Sequence, residues 1–401
     1  MGEIMMLDIE QMKIQLDDNY AEMVQMRRYL HQNPELSFHE YKTAAFVADT
    51  LRGYGLEVRT QVGGNGVVAK LQGELPGPTV ALRADMDALP IQDEKKCEYT
   101  SKVPGVMHAC GHDGHTTSLL FVAKVMSAHR ATLQGNIVFI FQHGEELSPG
   151  GAVSMIADGA LEEVDVIYGV HLWSPVPLGQ VTSRPGAFMA AADEFTFHIH
   201  GKGGHGGLPH QTVDTIVVGS HLVVNLQSLV ARNVDPTQSC VVSIGSFLGG
   251  GAFNVIAEKV SINGTTRTFD PQVRLYVKER LKQIAEATCQ MFGATCELEY
   301  IDGYPPVVND GSETDRFMRV SESVVGSDNV HTSEQNMAGE DFSYYLQKIP
   351  GCYMFVGAGN VEQGIIHPHH HPKFDIDERS MLVSAKLLMS MAMDYIEHHR
   401  A

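Results

Sequence analysis

The stretch "GNIVFIFQHGEE" at residues 135–146 decides the fold class of this chain of 401 residues. Residues 137–141 form a continuous apolar run, and polar residues follow at once. A strand that is apolar on both faces is typical of a sheet whose two faces are both covered, as in α/β proteins with parallel strands. Residues 79–90, "TVALRADMDALP", and residues 164–173, "VDVIYGVHLW", follow the same plan. These stretches predict buried strands that end in polar side chains.

Helical patterns alternate with these predicted strands. Residues 118–126 place Leu119, Val122 and Met126 at helical spacing, and residues 378–395 predict a closing helix. The alternation predicts an α/β fold with a mostly parallel sheet and helices on both faces. Because open α/β sheets place their sites at the carboxyl ends of the strands, the polar clusters there are expected to form one site.

The middle of the chain has a different order of elements. From "DEFTFHIHGKG" at residues 193–203 onward, the patterns read strand, helix, strand, strand, helix, strand. This order predicts a small α+β domain of the split βαβ type, inserted into the α/β domain. The predicted division is one domain of residues 1–185 and 304–401 and an inserted domain of residues 186–303.

The net charge of the chain is −19. Such a surface repels phosphate backbones and anionic lipids, so the composition argues against nucleic-acid and membrane partners. The first residues, "MGEIMMLDIEQMK", are acidic and lack an apolar signal core. The six cysteines form no CxxC pair. We therefore expect a cytoplasmic protein with reduced thiols.

The run "MHACGHDGHTT" at residues 107–117 combines a cysteine with histidines. Cys110 and His112 could present a thiolate and an imidazole to one cation. Two alternatives stay open on the run alone: a polar turn that caps the next helix through Thr116 or Thr117, and a catalytic thiol.

Carboxylates and further histidines follow other predicted strands. Glu145 and Glu146 repel each other when buried, a cost that a cation would relieve, with one as ligand and the other as base. His171 follows a buried strand, and His367, His369, His370 and His371 lie in a proline-rich loop. Taken singly, these are also typical of an acidic turn, a core histidine and a surface loop. Together they favour a two-metal hydrolytic centre.

The inserted domain adds residues suited to an anionic ligand. Glycines around His205 in "GKGGHGGLPH" allow a ligand to approach closely. The guanidinium of Arg267 matches a carboxylate, although a surface arginine paired with a neighbouring acid is the simpler interpretation of that residue alone. Asn254 lies in the same region.

Seven motifs resemble those of one amidohydrolase family, which includes bacterial aminoacylases, hippurate hydrolases and plant auxin–amino acid conjugate hydrolases. The resemblance covers roughly residues 25–398. In chain order, the motifs are "RRYLHQNPELSFHEYKTAAFVADTL", "RADMDALPI", "MHACGHDGHTT", "GVHLW", "GKGGHGGLPH", "NVIAEKVSINGTTRTFD" and "AGEDFSYYL".

The resemblance implies a dinuclear metallohydrolase with a catalytic domain and an inserted lid or dimerisation domain. The implied metal ligands are Cys110, His112, Glu146, His171 and His370, with His371 as a competitor for the last position. Glu145 is implied as general base and His205 as a group that binds the carbonyl oxygen, in some relatives from a partner subunit. Asn254 and Arg267 are implied to hold the substrate carboxylate.

Other details of the implied site are less constrained. Asp85 or Asp113 is expected to orient a histidine ligand. This chain also departs from the family, because His143 and Gly144 stand where relatives carry a Pro-Ala-like pair. An additional histidine is therefore expected near the metals.

The implied reaction is metal-dependent hydrolysis of N-acyl-amino acids, with two divalent cations per subunit. Thiolate ligands suit zinc, cobalt or nickel, and carboxylates admit manganese. A carboxypeptidase, a dipeptidase or an acyl-diaminopimelate deacylase on the same fold is an alternative. A non-catalytic metal-buffering or thiol-sensing protein is more distant, because it needs neither an adjacent base nor an arginine-bearing lid. The oligomeric state stays open at this point, and the sheet edges of the inserted domain could pair in a homodimer or homotetramer.

Overall fold

The computed structural model describes residues 9–399, which form two compact units. Unit 1 comprises residues 9–186, 308–334 and 341–399. Unit 2 comprises Ala187–Val307 and Gln335–Glu340. The inserted domain predicted at residues 186–303 corresponds to the first segment of unit 2, which ends at Val307 and not at residue 303. The return of Gln335–Glu340 to unit 2 was not predicted, since that stretch has no periodic pattern.

The helices and strands of both units are numbered in chain order. The helices are α1 (Ile9–Asp18), α2 (Tyr20–Gln32), α3 (Tyr41–Gly53), α4 (His112–Ala128), α5 (Ala152–Ala157), α6 (Thr215–Ser228), α7 (Pro271–Met291), α8 (Gly311–Val325), α9 (Ser343–Leu346) and α10 (Ser380–His398). The strands are β1 (Glu57–Val62), β2 (Gly66–Gln72), β3 (Leu75–Asp85), β4 (Gln134–Gln142), β5 (Val166–Pro177), β6 (Val181–Ser183), β7 (Gly186–Met189), β8 (Ala191–His200), β9 (Gly204–His205), β10 (Cys240–Gly249), β11 (Val255–Ile256), β12 (Lys259–Thr268), β13 (Thr295–Tyr304), β14 (Val307–Asn309), β15 (Val330–Thr332) and β16 (Gly351–Gly359).

Unit 1 is built on an eight-stranded sheet of order β1-β2-β4-β3-β5-β16-β6-β15. The central strands run parallel: β3 pairs with both β4 and β5, and β16 pairs with β5. Leu82 lies between Phe139 and Tyr168 in this register, and all three side chains are fully buried. The mostly parallel sheet predicted from the apolar runs is confirmed. Asp85 is in register with Gln142, so β3 and β4 end at the same edge.

Helix α4 begins earlier than its apolar pattern predicts. It starts at His112, after Gly111 at φ +98°, and its first turns are buried. Thr116 and Thr117 lie inside the helix, where their hydroxyls donate to the backbone oxygens of Asp85 and Asp113, each at 2.7 Å. The interpretation of these threonines as helix caps is therefore wrong, because α4 begins at His112 and both residues lie within it.

Unit 2 contains a four-stranded antiparallel sheet of order β10-β12-β8-β13. Helices α6 and α7 pack on the face that carries Phe195, Phe197 and Ile199 of β8. Both helices begin at an aspartate whose carboxylate accepts backbone N–H groups of the first turn, Asp214 for α6 and Asp270 for α7. The predicted order of strands and helices is confirmed.

A helix that crosses a bilayer needs about 20 mostly apolar residues, and the helices within residues 9–399 can be judged by that length. None of them is long and apolar enough to cross a membrane.

Candidate active site

The predicted metal ligands and the predicted base of unit 1 lie at or near α4, β4 and β5. Cys110 and His112 flank Gly111, at the start of α4. Glu145 and Glu146 follow the end of β4, whereas His171 lies within β5, which continues to Pro177. All of these side chains belong to one edge region of the sheet, as the parallel strand order predicts.

Two groups of donor atoms share the cysteine. Donor atoms of Cys110, His112 and Glu146 lie within 4.8 Å of one another, and those of Cys110, His171 and His369 do the same. The Cys110 Sγ lies 3.4 Å from the Nε2 of His171. One sulfur common to two groups is an arrangement suited to a pair of cations.

The imidazole of His112 is oriented by Asp87. Its Nδ1 lies 2.9 Å from the backbone oxygen and 3.1 Å from the Oδ1 of Asp87, so Nδ1 carries the proton that these acceptors require. Its buried Nε2 has no hydrogen-bond partner among the described residues and lies 3.7 Å from Glu146 Oε1. The lone pair of the His112 Nε2 and the oxygens of Glu146 repel each other unless a proton or a cation lies between the two side chains. The residues present therefore fit a divalent cation.

Asp85 or Asp113 was expected to orient a histidine ligand, but Asp87 is the aspartate that orients His112. Asp85 accepts from the Nδ1 of His115 at 2.6 Å, and the Nε2 of that ring accepts the N–H of Leu172 at 2.8 Å. Asp113 is bound by Arg27 and His31, at 2.8 and 2.7 Å. The sequence could not separate three nearby aspartates, because the choice depends on the rotation of the α4 side chains.

The electrostatics of the site also favour a cation. Burial lowers the pKa of His112, but Asp85, Asp87 and Glu146 outweigh this and raise it to about 10. Burial and the charge of Glu146 raise the pKa of the Cys110 thiol well above its ordinary value. The surrounding carboxylates thus make the imidazole of His112 and the thiol of Cys110 hold their protons more strongly. A divalent cation bound to these two side chains would displace those protons.

The histidine loop places two neighbouring residues at the site. His370 has φ +65°, and its Nε2 lies 3.3 Å from the Oε2 of Glu146. His369 stacks on Trp173, with ring centroids 4.4 Å apart, and belongs to the group with Cys110 and His171. Its Nε2 accepts the N–H of Ser174 at 3.1 Å. The sequence indicated His369 only as one histidine of the loop, because only the fold shows that its ring stacks on Trp173.

The competitor for the last ligand position is turned elsewhere. The ring of His371 stacks on His367, with centroids 4.3 Å apart, and its Nδ1 accepts the N–H of Lys373 at 3.0 Å. The contact of His370 with Glu146 is consistent with the assignment of His370 as a ligand, which stays a prediction.

The carboxylate expected to act as base lies beside the donor atoms. Glu145 is buried, and its Oε2 lies 3.9 Å from the Nε2 of His112. The preceding His143 packs edge-on against Phe38, at a centroid distance of 5.6 Å, and against Gly64. Within residues 9–399, His143 belongs to none of the groups with metal-ligand spacing. The additional histidine therefore supports the turn and does not contribute a donor atom.

Unit 2 brings His205 and Asn254 together. Strands β9 and β11 pair His205 with Val255, and the N–H of Gly206 donates to the backbone oxygen of Asn254 at 2.8 Å. The N–H of Gly207 donates to the Nδ1 of His205 at 3.0 Å. In the neutral ring this leaves the proton on Nε2, so the exposed edge is a hydrogen-bond donor.

Arg267 lies on β12 in a partly buried position. It donates to the backbone oxygens of Met337 and Thr266, at 3.1 and 2.9 Å, and to the hydroxyl of Thr265. Burial lowers the pKa of its guanidinium. Among the described residues no carboxylate forms an ion pair with Arg267, so the expected surface ion pair is absent and an anionic ligand would complement it.

Residues 81–394 match the sequence profile of peptidase family M20/M25/M40. This chain belongs to that family. The M20 chain is 52% identical over 381 residues to the Bacillus subtilis protein YhaA, to which an amidohydrolase activity is attributed, with 95% of this chain and 96% of YhaA covered. It is 41% identical to thermostable carboxypeptidase 2 of Saccharolobus solfataricus, over 94% of this chain and 96% of that protein.

Further relatives and a solved structure support the same assignment. An N-acyl-L-amino acid amidohydrolase of Geobacillus stearothermophilus is 47% identical over 75% of this chain and 81% of its own length. The crystal structure of Bacillus subtilis YxeP, described as a dinuclear metal-binding M20 peptidase, superimposes with a TM-score of 0.80 at 32% identity, covering 95% of this chain and 99% of YxeP. The M20 chain is thus an amidohydrolase.

Proposed function

We propose that this M20 hydrolase cleaves the amide bond of N-acyl-amino acids and releases a carboxylic acid and a free amino acid. The observation that carries the proposal is the pair of donor groups joined at Cys110, with a further buried carboxylate, Glu145, next to them. The N-acyl-L-amino acid amidohydrolase among the relatives supports this substrate class. Arg267, which lacks an ion-pair partner in the described part of the chain, supports a substrate with a free carboxylate.

Two divalent cations per subunit would be held by Cys110, His112, Glu146, His171 and His370, with His369 close to the same group. Cations bound there supply Lewis-acid activation of a water molecule and of the amide carbonyl. The mixture of thiolate, imidazole and carboxylate admits zinc, cobalt, nickel or manganese.

The protein's own residues then handle protons and charge. Glu145 accepts the proton of the attacking water and passes it to the leaving amine. The Nε2–H of His205 donates to the carbonyl oxygen as negative charge develops there. Arg267 and Asn254 bind the substrate carboxylate, which orients the amide for attack.

A carboxypeptidase or dipeptidase is the second candidate. It is favoured by the thermostable carboxypeptidase among the relatives, and a peptide also ends in a carboxylate that Arg267 could bind. An acyl-diaminopimelate is a third substrate to include in the same assay, because it carries both an acyl amide and free carboxylates.

We also propose a homodimer or homotetramer assembled through unit 2. Strands β10 and β13 are the edge strands of its sheet and offer backbone groups for pairing. Light scattering after size-exclusion chromatography tests this assembly.

All six cysteines are free, which supports a reducing, cytoplasmic location.

The deciding experiment is a substrate panel run on protein that has been stripped of metal by chelation. Manganese, zinc, cobalt and nickel are returned stepwise, and the release of free amino acid is followed for acyl-amino acids, N-blocked dipeptides and an acyl-diaminopimelate. We expect the highest kcat/KM for acyl-amino acids. A preference for the dipeptides would favour the carboxypeptidase, and no turnover with any metal would favour a metal-buffering or thiol-sensing protein.

A further inference from the structure

Glu40 is a fully buried carboxylate in unit 1 with an unusual set of partners. It precedes α3, yet its side chain does not cap that helix. Its Oε1 accepts the N–H groups of Phe38 and Gly144, at 2.9 and 2.8 Å, and its Oε2 accepts the side-chain amide of Asn65 at 3.1 Å. In the part of the chain that the structure describes, none of these partners is positively charged.

A carboxylate in such a place is costly. Removal from water disfavours the charged form of Glu40, and its hydrogen-bond partners among residues 9–399 include no cation that would compensate this cost. Burial and the nearby charge of Asp87 raise the pKa of Glu40 to about 7. An apolar side chain would fill the same space without this penalty, but it would leave the N–H groups of Phe38 and Gly144 without their acceptor. The carboxylate is therefore explained by the groups that it binds and not by packing alone.

The contact between Glu40 and Gly144 reaches the turn that carries the proposed base. On the other side of Glu145, the N–H of Glu146 donates to the Oδ2 of Asp87 at 2.9 Å, and the same oxygen accepts the hydroxyl of Ser37 at 2.7 Å. The backbone N–H groups that flank Glu145 are therefore both fixed by buried carboxylates, and both carboxylates are joined to residues 37–40.

We propose that Glu40 is a positioning residue for the general base. It holds the turn at residues 144–146 so that the carboxylate of Glu145 faces His112 and the shared donor groups. This inference rests on the proposed function only through the role of Glu145, and it does not depend on which acyl group or amino acid is cleaved.

The convergence of N–H donors on Glu40 explains why a carboxylate is suited to the task. Both of its oxygens accept, whereas a glutamine would bring one oxygen and one N–H₂ group to the same three donors. Glu40→Gln therefore keeps the volume and loses an acceptor. We expect kcat to fall about tenfold, less than the roughly 10²-fold that a 1 Å misplacement costs. KM and bound metal are expected to stay within twofold of wild type.

Glu35 offers a matched control in the same segment. Its Oε2 accepts the N–H groups of Lys42 and Thr43, at 2.9 and 2.8 Å, and the hydroxyl of Thr43 at 3.0 Å. It thus binds backbone N–H groups as Glu40 does, but those groups belong to α3 and not to the 144–146 turn. Glu35→Gln is expected to lower the unfolding temperature without changing kcat.

A double-mutant cycle separates positioning from general destabilisation. If Glu40 acts through Glu145, Glu40→Gln has no further effect on the residual kcat of Glu145→Gln. Additive losses in the double variant, or a kcat for Glu40→Gln equal to that of Glu35→Gln, would overturn the inference. Glu40→Asp provides a second variant if the glutamine variant does not fold, since it keeps the carboxylate but shortens its reach to Gly144, and it is expected to lower kcat as well.

The cycle uses whichever substrate of the panel the wild-type enzyme cleaves. If the wild-type enzyme prefers a peptide in the panel, the acyl-amino acid substrate is refuted, and a loss of kcat for Glu40→Gln on that peptide still supports the role of Glu40. Full activity of Glu145→Gln would refute both the assigned base and the positioning role.

Discussion

Replacing Gly144 by alanine tests how tightly the turn before the glutamate pair is built. Gly144 has φ +63°, and a Cβ at this position would lie 2.7 Å from the Cε1 of Phe38. A left-handed backbone costs a residue with a Cβ about 1–2 kcal/mol, and the crowding of the Phe38 ring adds about 1–3 kcal/mol. We expect the free energy of unfolding to fall by about 2–5 kcal/mol. Because Glu145 moves with the turn, kcat is expected to fall at least about tenfold.

The backbone and crowding contributions can be measured separately. Gly105 has φ +74°, and a Cβ there would meet no atom within 4 Å, so Gly105→Ala reports the backbone cost alone. In a Phe38→Ala background, the effect of Gly144→Ala should shrink to that of Gly105→Ala. Urea unfolding followed by circular dichroism, with kcat measured on the same preparations, gives both quantities. The reasoning is refuted if Gly144→Ala unfolds like Gly105→Ala and keeps the wild-type kcat.

The remaining predictions concern the site and its buried support. Glu145→Gln should lower kcat by about 10²-fold or more with metal content unchanged, because the variant loses the base and no ligand; substantial residual activity would show that the base is misassigned. Cys110→Ser should weaken metal binding by more than about 10²-fold, since loss of a residue that only orients a ligand already costs about 10- to 100-fold; wild-type metal content by elemental analysis would contradict its role as a ligand. Asp375 is bonded to Arg27 and Tyr99 at 2.8 and 2.7 Å, and although burial raises its pKa, the charges of Arg27 and Lys95 lower it to about 2. A depressed carboxyl pKa stabilises the fold above the unfolded value of about 3.9 and ceases to do so as the pH falls through the folded value. Asp375→Asn should therefore lower the free energy of unfolding at pH 7, and its difference from wild type should shrink between about pH 4 and pH 2; a difference that is constant with pH would contradict this.

Features that depend on local pattern could be predicted from the sequence. The apolar run at residues 137–141 lies in β4, in the centre of the sheet of unit 1. The order of elements around α6 and α7 likewise predicted the sheet of unit 2. In both cases the burial of a strand or helix face follows directly from the spacing of apolar residues along it.

Features that depend on which residues meet across the fold could not be predicted. Asp87 orients His112, whereas Asp85 bonds to His115 and Asp113 bonds to His31. The sequence places all three aspartates near these histidines, and only the folded direction of each side chain decides which pairs form. His369 reaches the site because Trp173 provides a flat surface for its ring. Glu40 is 104 residues from its partner Gly144, and nothing in its local sequence distinguishes it from an ordinary helix-start glutamate.

The burial of Cys110 also affects how readily its thiol reacts when the protein is without metal. Oxidants and alkylating reagents attack the thiolate, and both burial and the surrounding carboxylates keep this sulfur protonated when no cation holds it. The stripped protein should therefore react with iodoacetamide at Cys110 far more slowly than at a partly exposed thiol such as Cys97. We therefore expect protein that has been stripped of metal and kept in air to bind metal again, because the carboxylates that would attract a cation also keep the Cys110 thiol protonated.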